Sequence, residues 1–183
     1  MAMVDTLDRG AMKVFGLAGW SGAGKTTLMC ALIPALTRRG LRVSTLKHAH
    51  HTFDIDTPGK DSYEHRQAGA TEVMVASANR WALVHELRGA PELTSEELVG
   101  RMTPTDLVLI EGFKRETHDK LEVHRPSLGK PLLCTDDTHV VAVASDTPLP
   151  GLNIPQLDLD DIEAIAAFII AHCRLSGRAR GAA

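Results

Sequence analysis

Gly19-Trp20-Ser21-Gly22-Ala23-Gly24-Lys25-Thr26-Thr27 has the spacing G-x-x-x-x-G-K-[ST] of a loop that cradles nucleoside phosphates. Its glycines let backbone N–H groups turn inward on an anion, and the positive end of a following helix adds a favourable field. Gly19, Ser21, Gly22, Ala23, Gly24, Lys25, Thr26 and Thr27 are therefore the expected nucleotide contacts. Lys25 is placed to reach the β- and γ-phosphates, which makes it a catalytic candidate as well. The Thr26 hydroxyl suits the shell of a Mg²⁺ ion.

Such a loop needs an acid at the carboxyl end of a nearby strand, to hold Mg²⁺ or orient water. Two acids flank the apolar run Leu107-Val108-Leu109-Ile110. Asp106 precedes it and falls at the far end, since a strand rises about 3.3 Å per residue. Glu111 follows it and points into the phosphate end, so Glu111 is the expected metal and catalytic acid, with Gly112 letting the backbone pass close. Asp54-Ile55-Asp56 is a second acidic element, able to bind Mg²⁺ directly or through water, or to form a solvated acidic turn. Lys47-His48-Ala49-His50-His51 places three histidines within four residues. A zinc site, a solvated run and phosphate-side contacts all fit the composition. No cysteine lies near, and the segment ends a strand that should face nucleotide, which favours polar contacts with phosphate or a partner. Lys47 and His48 join the expected nucleotide contacts on that ground.

Alternating strand and helix signals must position these groups, and they predict an α/β layer fold with a largely parallel sheet. Lys13 to Ala18 reads as a buried strand before the loop and Leu28 to Arg39 as the helix after it. Strands follow at Leu41 to Lys47, Asp106 to Glu111, Leu121 to Arg125 and His139 to Ser145. Lys60 to Gly69 and Thr94 to Met102 read as short helices. Asp160 to Leu175 closes the chain as an amphipathic helix with Ile162, Ile165, Ala166, Ile169 and Ile170 on one face. Thr71 to Ala76 and Trp81 to Leu87, separated by Ser77 to Arg80, predict a hairpin and not a crossover. Its isolated position makes it the expected dimer edge.

The totals frame this site. A chain of 183 residues suits one domain, here 12–175, between a disordered leader at 1–11 and a disordered tail at 176–183. A formal charge of −3 argues against a nucleic-acid-coating surface. Cys30, Cys134 and Cys173 stand far apart, favouring reduced thiols and a cytoplasmic setting. No apolar run reaches the ~18 residues of a membrane span.

The whole pattern resembles the molybdopterin-guanine dinucleotide biosynthesis adapter proteins, the MobB family. The likeness rests on the phosphate loop through Leu28, on Lys47 to His51, and on Asp54-Ile55-Asp56-Thr57-Pro58-Gly59-Lys60-Asp61-Ser62-Tyr63. Arg66 to Ala70, Arg80 to Leu83, Leu107 to Lys114 and Val141 to Asp146 extend it. The resemblance implies a P-loop NTPase-like sheet with an added hairpin, GTP and Mg²⁺ as ligands, and at most weak GTPase activity. It further implies a homodimer that assists a guanylyltransferase (MobA-like) joining GMP to molybdopterin, with molybdopterin or molybdoenzymes as further partners. Gly22, Gly24, Lys25, Thr26 and Thr27 would bind phosphate and Mg²⁺, with Glu111 in the Walker B place.

The guanine-reading sequence N-K-x-D is absent from the chain. Asp146, after the strand that ends at Ser145, is placed to accept from guanine N1–H and N2–H₂ instead. Two rival classes share the phosphate loop. A small-molecule kinase would use Lys47, Arg66, Arg80 and Lys114 to grip a second anion and Asp54 or Asp56 as general base. A partitioning-type ATPase would carry an extra lysine where Trp20 stands. The chain offers no obvious arginine finger and no catalytic Gln after the strand that ends at Glu111, which predicts slow turnover and an adapter's role.

Overall fold

The computed structural model describes residues 12–49, 53–113 and 116–176. Its elements run β1 (Lys13–Ala18), α1 (Lys25–Arg38), β2 (Val43–Lys47), α2 (Asp61–Gln67), β3 (Glu72–Ala76), β4 (Trp81–His85), α3 (Ser95–Gly100), β5 (Leu107–Glu111), β6 (Lys120–His124), β7 (Val140–Ser145), β8 (Gln156–Asp158) and α4 (Ile162–His172). The chain forms two compact units, one from residues up to His48 together with those from Val99 onward, the other from Ala49–Leu98. The expected leader lies outside the described residues, as does the expected tail from 177 on.

The first unit is built on six parallel strands in the order β2-β5-β1-β6-β7-β8. Parallel strands covered on both faces read as unbroken apolar runs, and β5 and β7 are such runs. Helix α1 turns Leu28, Met29, Leu32, Ala35 and Leu36 inward at helical spacing. Helix α4 answers with Ile165, Ala166 and Ile169, and Asp161 caps it by accepting from the Ala164 N–H at 2.9 Å. These side chains meet Phe15, Leu17, Leu121, Ala142 and Ala144 in one buried cluster on one face of the sheet. On the other face, Val108 and Ile110 pack with Val99.

Helix α1 begins at Lys25, three residues earlier than its apolar pattern suggests, because the last residues of the phosphate loop are themselves its first turn. The short strand β8 has no counterpart in the sequence reading. Strand β6 differs in kind: Lys120, Glu122 and His124 alternate with Leu121 and Val123, yet all five are buried. Both Glu122 oxygens accept backbone N–H groups, from Leu133 at 2.8 Å and Cys134 at 3.0 Å. Lys120 donates to Asp137 at 2.9 Å and to the Glu116 carbonyl at 2.7 Å. Satisfied in this way, polar groups can be interior.

The second unit holds the expected hairpin. Strands β3 and β4 pair antiparallel from Glu72↔His85 to Ala76↔Trp81, and the Ser77 N–H closes the turn on the Arg80 carbonyl at 2.8 Å. Helix α2 has no buried residue. Arg66 ties the unit together by donating to Asp54 at 2.7 Å, Asp56 at 2.9 Å and Glu86 at 2.9 Å. Thr94 and Glu97 form a reciprocal capping box, the Thr94 N–H donating to the carboxylate at 2.8 Å and the Glu97 N–H to the hydroxyl at 3.2 Å.

A mostly parallel sheet flanked by helices, a Gly-rich loop between β1 and α1, and an added hairpin make a P-loop NTPase-like α/β fold. Among the described residues no helix is long and apolar enough to cross a membrane.

Candidate functional site

Parallel strands deliver their carboxyl ends to one edge of a sheet, and that edge is where open α/β folds bind ligands. Lys47 on β2 pairs with Glu111 on β5, and Leu17 on β1 pairs with the same Glu111. His124 at the end of β6 pairs with Ser145 at the end of β7. The phosphate loop, Lys47, His48, Glu111 and Asp146 therefore emerge along one edge. Asp106 sits at the opposite end of β5, where its carboxylate accepts from the Arg42 N–H at 2.6 Å.

The phosphate loop is held by close approach. Gly19 has φ 142°, and a Cβ there would run into the Val123 carbonyl of β6, so only glycine lets β1 leave the sheet at this point. Lys25 closes back over the loop, its ammonium donating to the Gly19 carbonyl at 3.0 Å and the Trp20 carbonyl at 2.9 Å. Trp20 is anchored outward by an indole N–H bond of 2.8 Å to the Pro131 carbonyl.

Thr26 and Glu111, expected to share Mg²⁺, are in contact: the hydroxyl donates to the carboxylate at 2.7 Å. The other Glu111 oxygen lies 3.8 Å from the Lys47 ammonium. Hard oxygens from a hydroxyl and a carboxylate, side by side at a phosphate loop, are the donor set that Mg²⁺ takes alongside substrate phosphates. Beyond Glu111 the chain doubles back. A Cβ at Gly112 would come within 2.8 Å of His48 Cβ, and Phe113 adopts φ 47°. The Phe113 and His48 rings lie 4.6 Å apart, and the His48 N–H donates to the Glu111 carbonyl at 2.9 Å. His48 thus fastens β2 to the acid-bearing end of β5.

Asp146 and Thr147 line a cavity of about 310 Å³ with Ser145, Pro148, Gln156, Leu157 and Asp158. Gln156 pins its rim, accepting from the Leu149 N–H at 3.1 Å and donating to the Thr147 carbonyl at 3.1 Å. One Asp146 oxygen pairs with Arg125 at 2.5 Å and the other accepts from the Thr147 hydroxyl at 3.2 Å.

Asp54 and Asp56 both belong to the second unit and are both engaged by Arg66. Binding Mg²⁺, as expected for them, would require releasing that guanidinium. Among the described residues no three His, Cys, Asp or Glu side chains converge to hold a metal. His50, His51 and Lys114 lie outside the described residues.

Sequence reasoning passed over Arg125. Its Nε donates to the Ala23 carbonyl at 3.2 Å while Nη1 holds Asp146. The signal was present, since Arg125 follows β6 directly, as Glu111 closes β5 and Asp146 follows β7. It was read as the last residue of the strand and not as the first residue beyond it.

Comparison with known proteins agrees with this geometry. The family model described as "Molybdopterin guanine dinucleotide synthesis protein B", MobB, matches residues 14–146. The chain is similar to the molybdopterin-guanine dinucleotide biosynthesis adapter protein of Escherichia coli K12, at 48% identity over 86% of this chain and 91% of that protein. The adapter protein of Haemophilus influenzae is 42% identical over 85% of this chain and 86% of its own length. A crystal structure of molybdopterin-guanine biosynthesis protein B superimposes with a TM-score of 0.64 at 28% identity, over 88% of this chain and 99% of that one. Bacillus subtilis MobB does so with 0.65 at 25% identity, over 91% and 100%. The chain belongs to the MobB family.

Proposed function

We propose that this MobB-family chain is a GTP-binding adapter in the formation of molybdopterin guanine dinucleotide, with weak GTPase activity at most. The observation that carries the nucleotide reading is the 2.7 Å contact of Thr26 with Glu111 beside the Lys25 loop. Backbone N–H groups of Gly22 to Thr27 and the α1 N-terminus wrap the phosphates. Lys25 leaves its own carbonyls for the β- and γ-oxygens. Thr26 and Glu111 would hold Mg²⁺, which would supply positive charge for the terminal phosphates. Lys47, close to Glu111, balances that carboxylate or the γ-phosphate, and His48 orients the strand end that carries them. Asp146, facing its cavity, accepts from the guanine N1–H and N2–H₂.

Slow turnover follows from charge placement. Arg125 is already engaged, by the Ala23 carbonyl and the Asp146 carboxylate. Charge that develops in transfer would then be met by Lys25, Mg²⁺ and Lys47, without Arg125. The kinase alternative drew on Arg66 as an anion grip and on Asp54 or Asp56 as base. All three are spent on one another, which favours the adapter. Partnership with a MobA-like guanylyltransferase in the cytoplasm, molybdopterin or molybdoenzymes as further contacts, and a homodimer complete the proposal. The homodimer is supported by the hairpin face that carries Met74, Trp81 and Leu83, which are 63%, 65% and 43% exposed.

Calorimetric titration with Mg·GTP and Mg·ATP, sedimentation, and single-turnover hydrolysis test this reading. GTP should bind more tightly than ATP, Asp146→Asn should erase the difference, and the protein should sediment as a dimer. Hydrolysis should stay below about 1 s⁻¹, the lower range of dedicated kinases. A faster unassisted turnover, or equal affinity for the two nucleotides in the unaltered protein, overturns it.

A further inference from the structure

A second stretch of chain, residues 125–134, leaves β6 and lies against the phosphate loop. Three contacts join the two. The Trp20 indole donates to the Pro131 carbonyl at 2.8 Å, Leu128 lies 3.8 Å from where a Gly22 Cβ would stand, and Arg125 donates to the Ala23 carbonyl at 3.2 Å. The stretch is anchored from within, because the fully buried Glu122 accepts the N–H groups of Leu133 and Cys134. It is a fixed support, and Arg125 is the residue at its root.

Arg125 also reaches sideways. Its guanidinium divides between the Ala23 carbonyl and the Asp146 carboxylate, so one rigid planar group touches both the phosphate loop and the base-side cavity. Nε and Nη2 both lie 3.8 Å from where a Gly24 Cβ would be, so the guanidinium also borders the loop at Gly24. The Asp146 oxygens, bound to Arg125 and to the Thr147 hydroxyl, each keep a lone pair for the cavity. Two parallel lone pairs suit the adjacent N1–H and N2–H₂ donors of guanine. Adenine offers an acceptor where guanine has N1–H and is repelled.

We propose that Arg125 is a positioning residue that couples the base site to the phosphate loop. It aims Asp146 at the base and, through Ala23, sets the curvature of the loop that wraps phosphate. The inference rests on the nucleotide reading above, but its own content is the link between the two half-sites. A link of this kind is reciprocal. A change at Asp146 must therefore be felt by a ligand that has phosphates and no base, and only while Arg125 is present to carry it.

Inorganic tripolyphosphate with Mg²⁺ is that ligand, and a double-mutant cycle on its affinity is the test. Asp146→Asn should weaken tripolyphosphate binding by about fivefold or more, the lower end of typical coupling. In an Arg125→Gln background the same substitution should do nothing further. Arg125→Lys keeps a positive charge beside Asp146 but lacks the fork, so it should also lose the link while retaining the fold. Melting temperatures of all variants show that each is folded. Undiminished tripolyphosphate binding in Asp146→Asn overturns the coupling, as does an equal Asp146→Asn effect with and without Arg125. Failure of tripolyphosphate to bind the unaltered protein overturns the phosphate-loop reading and the coupling with it. The guanine reading has a separate readout, the GTP-to-ATP affinity ratio. If Asp146→Asn leaves that ratio unchanged while the cycle shows coupling, only the assignment of the base falls.

Discussion

The two units of this chain are stabilised in opposite ways. The first buries its central strands β1, β5, β6 and β7 on both faces, and its cluster runs from Phe15 on β1 to Ile169 on α4. The second has one buried residue in β3, Val73, and none in α2 or β4. What it has instead is Arg66, held by three carboxylates from 10, 12 and 20 residues away in the chain. Its large apolar side chains face outward: Met74, Trp81 and Leu83 share one face of the hairpin. A region without a core keeps its shape through directional bonds and remains able to place apolar surface against another molecule. The contrast is what the proposed function asks for: a ligand held by the first unit and a partner met by the second.

Cutting side chains from each unit is the strongest way to break this comparison. Ile165→Ala in α4 should cost about 2–5 kcal/mol, seen as a lowered urea midpoint. Val73→Ala should cost about 1–2 kcal/mol, two methylene equivalents at most. Equal or reversed losses would mean that the second unit has a core after all. Next in size is Arg66→Gln. It should raise the rate of proteolytic cleavage within 49–98 while Mg·GTP affinity stays the same. Unchanged cleavage would show that the ion pairs do not hold this unit together.

The smallest expected effect is a pH dependence confined to the first unit. His118 is pushed below the ordinary histidine range, first by burial and then by the Lys120 ammonium, with Glu116 and Asp137 opposing and His139 adding slightly. Neither ring nitrogen has a hydrogen-bond partner among the described residues. The folded chain refuses a proton that the unfolded chain accepts. Stability is therefore full above the ordinary value of about 6.5 and declines as pH falls below it toward the lowered folded value. His118→Asn should flatten that decline in thermal melts across the same interval. An unaltered slope would place the acid sensitivity elsewhere.

How much of this was legible in the sequence follows the same division. In the first unit, continuous apolar runs, Gly-rich spacing and the helical period of α4 are local signals, so β1, β5, β7 and the edge that gathers Lys25, Glu111 and Asp146 could be read directly. Strand β6 was only half legible. Lys120, Glu122 and His124 look like a solvated face, and the burial of Lys120 and Glu122 depends on partners supplied by residues 116 and 133–137, too distant for any periodicity to register. Arg125 was lost for a related reason: its value lies in what it joins. Strand β8 is three residues of polar-apolar-polar chain, shorter than any pattern can identify. In the second unit the hairpin was legible from its turn, whereas the engagement of Asp54 and Asp56 by Arg66 was not. Two acids a residue apart look the same whether they await a metal or already hold a guanidinium.

Lys25, folded onto the carbonyls of Gly19 and Trp20, has a consequence for which molecules can enter. Bonds from an ammonium to carbonyls are already charge-assisted, so an entering group displaces them best when its acceptors are charged as well and add Coulombic attraction. A nucleoside, a sugar or a neutral metabolite offers no gain in the exchange. A polyphosphate offers several anionic oxygens at once and displaces both carbonyls together. The loop thus carries its own placeholder, and in the proposed nucleotide site that placeholder would favour ligands of high charge density.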